Sequence, residues 1–263
     1  MNSRPPVLLS LLGTLALGAC QTAPTQHSGF LSSYEGIADS GDSLRAVVGQ
    51  RRDDAASDAV EHVFIQPAIL APQAGSGLSE AERNMVLREV DRQICFEISE
   101  RFPVVPVANE RAAVIRTSVV RIDATGRIGS AVSAVANAFS PVPIMNLRAP
   151  GSTGGLAIES EMLAPNSGGQ IAAITWGRDA AVVGMDSPSL SRVGDALQFA
   201  EPMGDAVAEA FASDSRAELE IDDPDPCLHH GSRSNLARSA GGVVVGIITG
   251  LYVPEIERAE PSE

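Results

Sequence analysis

Apolar residues recur every four positions through Val86, Val90, Ile94, Ile98 and Phe102, with Leu87 and Cys95 beside them. That spacing is the stripe of a helix laid on an apolar surface. Ser79 and Glu82 form a capping box at its start, and Pro103 cannot continue it. The pattern predicts a helix over Ser79 to Phe102, with Arg88, Glu89, Asp91, Arg92 and Arg101 on its polar side. Period-two alternation predicts a strand over Ala113 to Asp123: Ile115, Thr117 and Val119 share one face, Arg116, Ser118 and Val120 the other. Leu156–Leu163 and Gln170–Trp176 flank Pro165-Asn166-Ser167-Gly168-Gly169, a turn composition that predicts a hairpin. In it Leu156, Ile158 and Met162 face one way, Glu159 and Glu161 the other. Helical spacing returns over Asp195 to Phe211 through Leu197, Ala200, Val207 and Phe211, with Pro202 as a kink or break.

Shorter signals fill the gaps. His62 to Pro67 is an apolar run before prolines and reads as a first strand. Val104 to Val107 reads as an edge strand, because Pro103 and Pro106 cannot donate to a central ladder. Gly129 to Phe139 has the spacing of a short helix, and Pro141 to Gly155 reads as a loop. Asp39 to Val60, with Arg51-Arg52-Asp53-Asp54, reads as a charged mobile loop. Ser213 to Pro226 is acidic and breaks structure. Helices and strands interleave irregularly, which points to an α+β fold, with mixed α/β as the alternative. The expected architecture is one sheet of four or five strands with two long helices on one face.

The N-terminus changes the picture from fold to location. Met1 to Pro6 carries Arg4, Val7 to Leu17 is apolar, and Gly18-Ala19 are small residues before Cys20. This is the layout of an export signal covering residues 1–19. The apolar core is shorter than the ~20 residues of a spanning helix. Leu17-Gly18-Ala19-Cys20 resembles the lipobox of bacterial lipoproteins, and that resemblance implies lipidation of Cys20 as the first mature residue. The alternatives are a plain secretory peptide with a coincidental cysteine and an uncleaved anchor. In such lipoproteins the residue after the cysteine biases sorting, and Gln21, not Asp, leans toward the outer membrane. Residues 20–61 then read as lipidated cysteine plus tether and loop, 62–214 as the folded domain, and 215–263 as an acidic linker and glycine-rich apolar tail.

Composition narrows the function. The formal charge of the 263 residues is −14, and loss of Arg4 with the signal makes the mature chain −15. A field of that sign excludes nucleic acid, whose phosphates need a basic face. All 19 basic residues are arginine, so Schiff-base and phosphate-loop lysines are ruled out. Aromatic content is 4%, so the core is built from aliphatic residues. Of three cysteines, Cys20 is taken by lipid, leaving Cys95 and Cys227. Two thiols in an oxidising compartment make one bridge; Cys95 as a buried free thiol is the alternative.

Candidate chemistry is sparse. Glu159 and Glu161 sit two apart on a strand, so both carboxylates point the same way. Such a pair suits acid–base work or a cation, but the expected reading is the solvated face of a half-buried hairpin. Asp222, Asp223, Asp225, Cys227, His229 and His230 mix metal-ligating types, yet Pro224 and Pro226 interrupt them and the spacing matches no closed zinc pattern. No metal or cofactor is expected. Gly242, Gly246 and Gly250 repeat every four residues in apolar Ala240 to Val253. That run fits a buried strand, or a helix-pairing or membrane-associated segment.

Ser28-Gly29-Phe30-Leu31-Ser32-Ser33-Tyr34 follows the lipobox almost at once, and Ala157-Ile158-Glu159-Ser160-Glu161-Met162-Leu163 enters the hairpin. Together they resemble a family of Gram-negative outer-membrane lipoproteins classed as a domain of unknown function. The resemblance fades over Gly36 to Val60 and after Asp214. It implies a lipid-anchored envelope protein, not a reaction. The expectation is a non-catalytic lipoprotein on the periplasmic face of the outer membrane, held by lipid on Cys20 and bound to another envelope protein. The alternatives are an oligomer-forming membrane-associated protein using Gly242 to Gly250, or an envelope hydrolase using Glu159, Glu161, Asp222 and Asp223.

Overall fold

The computed structural model describes residues 27–39, 46–126, 129–130, 146–148, 151–181, 183–184, 186–231 and 233. Cys20, the 129–139 helix beyond Ser130, and Gly242, Gly246 and Gly250 lie outside the described residues.

The fold is mixed α+β. One open sheet carries seven strands: β1 (Ala38–Asp39), β2 (Val47–Arg52), β3 (His62–Ile65), β4 (Ile69–Leu70), β5 (Ala112–Asp123), and β7 (Gly155–Leu163) with β8 (Gln170–Asp179). β6 (Asn146–Leu147) and β9 (Val183–Gly184) form a separate ribbon. The order across the main sheet is β1-β2-β8-β7-β5-β3, with β4 also on β5. β5, β7 and β8 pair antiparallel, while β3 and β4 lie parallel to β5. Three α-helices are described: α1 (Asp54–Asp58), α2 (Glu80–Ser99) and α3 (Gly194–Phe211).

Both long helices and the long strands form where periodicity placed them. Ser79 and Glu82 make the reciprocal capping box of α2. α3 continues past Pro202, so this proline does not break it. α3 rests on β2, β7 and β8, and α2 packs on α3, where Gly204 lets the backbones close: a Cβ there would meet the Gln93 carbonyl at 3.0 Å. Val86, Val90, Ile94 and Ile98 from α2 share one core with Ile115, Val119, Ile158 and Met162 from the sheet and Phe199, Met203 and Phe211 from α3.

Three expectations are corrected. The sheet has seven strands, not four or five, because the expected Asp39–Val60 loop holds β2 and α1 among its described residues. Its charged Gln50-Arg51-Arg52 run is part of β2, whose six residues all pair with β8. There Arg52 donates to the Glu209 and Ala212 carbonyls at the end of α3, and Asp53 caps α1. Folded structure therefore starts well before His62, and the described part of 20–61 carries β1, β2 and α1 where a tether and loop were expected. Finally, Glu89 and Arg92 are buried, not solvated, as an ion pair at 2.9 Å on α2. A 3-10 turn at Leu228–His230 packs on α2, and Arg92 lies 5.8 Å over the Phe96 ring.

Candidate functional site

β7 is the middle of the sheet, and its side chains alternate as the period-two reading requires. Leu156, Ile158 and Met162 enter the core under the helices. Glu159 and Glu161 point to the other face, and there the expectation fails: both are 0% exposed. Three of their four cross-strand neighbours are small. Glu159 lies between Ser118 and Thr175, and Glu161 between Arg116 and Ala173. One strand further, Gly49 faces Thr175, and a Cβ there would meet its hydroxyl at 2.8 Å. Short side chains beside two glutamates make a trough with carboxylates on its floor.

The segment Ser28–Tyr34 fills that trough as a strap. Glu159 accepts the Ser28 N–H at 2.8 Å, the Ser28 hydroxyl at 2.5 Å and the Tyr34 hydroxyl at 2.7 Å. Glu161 accepts the Ser32 N–H at 2.9 Å, the Ser32 hydroxyl at 3.0 Å and the Gln170 amide at 2.5 Å. Arg116 donates to Glu161 through Nε at 2.6 Å and reaches the Phe30 carbonyl at 3.1 Å, its guanidinium 4.8 Å over the Phe30 ring. Leu31 is the buried side chain of the strap, and His27 stacks on Tyr34 at 4.0 Å. Burial, then the bond to Glu159, raises the Tyr34 hydroxyl above its ordinary range and keeps it a donor.

The two motifs that carried the family resemblance are thus the two halves of one contact. Sequence reasoning treated them separately and missed Arg116 and Gln170. Glu159 and Glu161 are saturated acceptors, which is how buried carboxylates are tolerated.

The other candidate residues lie elsewhere. Asp222 lines a groove of about 180 Å³ with Ser99, Phe102 and Pro226, and Asp223 is exposed. The four acidic candidates therefore do not share a cleft. Cys95 and Cys227 are bonded, with Cα atoms 5.8 Å apart. Asp225 accepts the Cys227 N–H at 2.8 Å and pairs with Arg233 at 2.7 Å, and the His229 and His230 rings lie 3.9 Å apart, tilted by 43°. Burial, then His229 and Arg92, push His230 down to about 4. Among the described residues no three His, Cys, Asp or Glu side chains converge to hold a metal. Among them also, no helix is long and apolar enough to cross a membrane.

The α2–α3 contact holds one strongly shifted carboxyl. Burial first, then hydrogen bonding and charge from Asp205 and the charges of Glu100 and Glu201, raise Glu97 to about 8. The folded chain keeps a proton that the unfolded chain loses nearer 4.5, so this group's contribution is complete below that value and is lost as pH rises through about 8. Glu97→Gln should flatten that loss. Thermal unfolding from pH ~4.5 to above ~8 checks it, and parallel pH profiles for the two proteins would contradict it.

The family profile described as Protein of unknown function (DUF3313) matches residues 26–207. No curated protein matches the chain. Among solved structures, a variant PelC dodecamer from Paraburkholderia phytofirmans aligns with TM-score 0.36 and 8% identity, covering 62% of this chain and 97% of that one. A second PelC dodecamer from the same organism gives 0.35 and 9%, with the same coverage. Likeness of this size establishes no shared role.

Proposed function

The chain belongs to the DUF3313 family of proteins of unknown function, and from that premise we propose that it is a non-catalytic, lipid-anchored lipoprotein of the outer membrane, facing the periplasm. Lipid on Cys20 holds it there, and the domain binds another envelope protein. One observation carries the reading. The first described segment after the lipobox-like Cys20 is locked to the middle of the sheet by both buried glutamates. A chain fastened this close to its anchor behaves as a rigid module on a short lead. The same bonds weigh against the hydrolase alternative, since Glu159 and Glu161 are already engaged under the strap as acceptors. The Cys95–Cys227 bridge suits an exported chain.

Cys20→Ala is expected to abolish lipid labelling and move the protein from the membrane to the soluble fraction. Radiolabelled acyl incorporation with fractionation checks this, and persistent labelling of the variant would refute lipidation at that residue. Partner binding is tested by photocrosslinking in native membranes, because a chain without lysine escapes amine reagents. Recovery of a discrete crosslinked species in the wild type, absent from Cys20→Ala, is the expected result.

A further inference from the structure

We infer that the strap fixes which side of the domain faces the lipid surface: the Glu159–Glu161 face of the sheet is turned to the headgroups, and the α2–α3 face away from them. This rests on lipidation of Cys20. It deepens that reading by naming the surface apposed to the bilayer and the element that sets it.

Reach sets the orientation. From Cys20 to Ser28 the backbone makes eight residue steps, which span at most about 26–29 Å even fully extended. A domain of roughly 200 residues is about 40 Å across by the usual size scaling. With the strap docked, the lead is shorter than the domain is wide. The side carrying Ser28 must therefore stay near the headgroups, and the opposite side cannot reach them. Ser28 is bonded to Glu159, on the face opposite the one that buries Leu156, Ile158 and Met162 beneath the helices.

Released from the trough, the chain would first be held at Ala38, where β1 joins β2. The lead would then reach about 60 Å, longer than the domain is wide, and the domain would tumble. Orientation therefore depends on the Glu159 and Glu161 contacts rather than on the lipid alone. The docked state also places exposed Glu201 and Asp205 of α3 on the compartment side, where a protein partner has access.

The test uses the full lipidated chain in phosphatidylethanolamine–phosphatidylglycerol vesicles carrying a headgroup-attached nitroxide quencher. A fluorophore is placed on Asp39→Cys, in β1 on the cross-strand row that carries Glu159, or on Glu201→Cys, on α3. The native thiols are occupied by lipid or by the disulfide, so the introduced one takes the label. The expected result is stronger quenching at position 39 than at 201. That difference should be lost in the Ser28→Ala, Ser32→Ala, Tyr34→Phe triple variant, whose changes lie outside the core cluster. A second variant, Glu159→Gln with Glu161→Gln, should lose it too. Equal quenching of both sites in the lipidated wild type overturns the inference, as does a difference that survives in both variants. A chain recovered without lipid on Cys20 overturns the anchoring reading as well, so the two failures are distinguishable.

Discussion

Replacing Asp195 with alanine is expected to cost about 3–5 kcal/mol, the loss incurred when one partner of a buried ion pair is left alone. Asp195 lies in the first turn of α3 and faces Arg148, both side chains being fully buried. The pair is bidentate, at 2.6 and 3.0 Å. Asp195 also accepts the Gly154 N–H at 2.6 Å and the Thr125 hydroxyl at 3.0 Å, and Arg148 donates to the Ser152 carbonyl. One carboxylate therefore ties the ends of β5 and β7 and the segment after β6 to the start of α3. Without it a guanidinium is buried unpaired. Arg148→Ala should cost less, because Asp195 keeps Gly154, Thr125 and the favourable end of the helix dipole. Urea unfolding of both variants checks the order. An Asp195→Ala effect within about 0.5 kcal/mol, the range of surface changes, would contradict it.

The second large effect is expected at the disulfide. Cys95 and Cys227 are 132 residues apart in sequence, and cross-linking a loop that long removes up to about 5 kcal/mol of unfolded-chain entropy. Cys227 is buried against α2, and Arg233 seals the same spot, donating to the Phe96 carbonyl at 2.9 Å with its guanidinium 4.6 Å over the Phe96 ring. Replacing both cysteines by serine should lower stability by about 2–5 kcal/mol. It should also deprotect residues 227–230, whose turn packs on α2 beside the bridge. Alkylation without reductant, in protein made in its native compartment, is the complementary check. Two reactive thiols there would contradict the bridge.

Much of the framework was legible because it rests on local rules. The capping box at Ser79, the four-residue stripe of α2, the alternation of β5 and the turn residues before Gln170 each signal their own element. β2 was not legible, because only its register beside β8 turns Gln50-Arg51-Arg52 into a strand. Its arginines work as caps and pair partners rather than as a solvated run. The Arg148–Asp195 pair left no trace either, since its members are 47 positions apart and nothing in a lone loop arginine marks it as buried. The candidate site lay between these cases. Both motifs stood out, and the common direction of Glu159 and Glu161 followed from strand geometry. Their burial did not follow, because what covers them comes from a segment 129 to 131 residues upstream.

Two carboxylates hold this upstream segment in place. Native-state hydrogen exchange at the Ser28 and Ser32 amides tests it most directly, because each N–H is donated to a glutamate side chain and not to a backbone ladder. Slow exchange is expected at both amides in the wild type, and exchange at the rate of an unstructured peptide after Glu159→Ala with Glu161→Ala while the β7–β8 amides stay protected. Unprotected Ser28 and Ser32 amides in the wild type would contradict it.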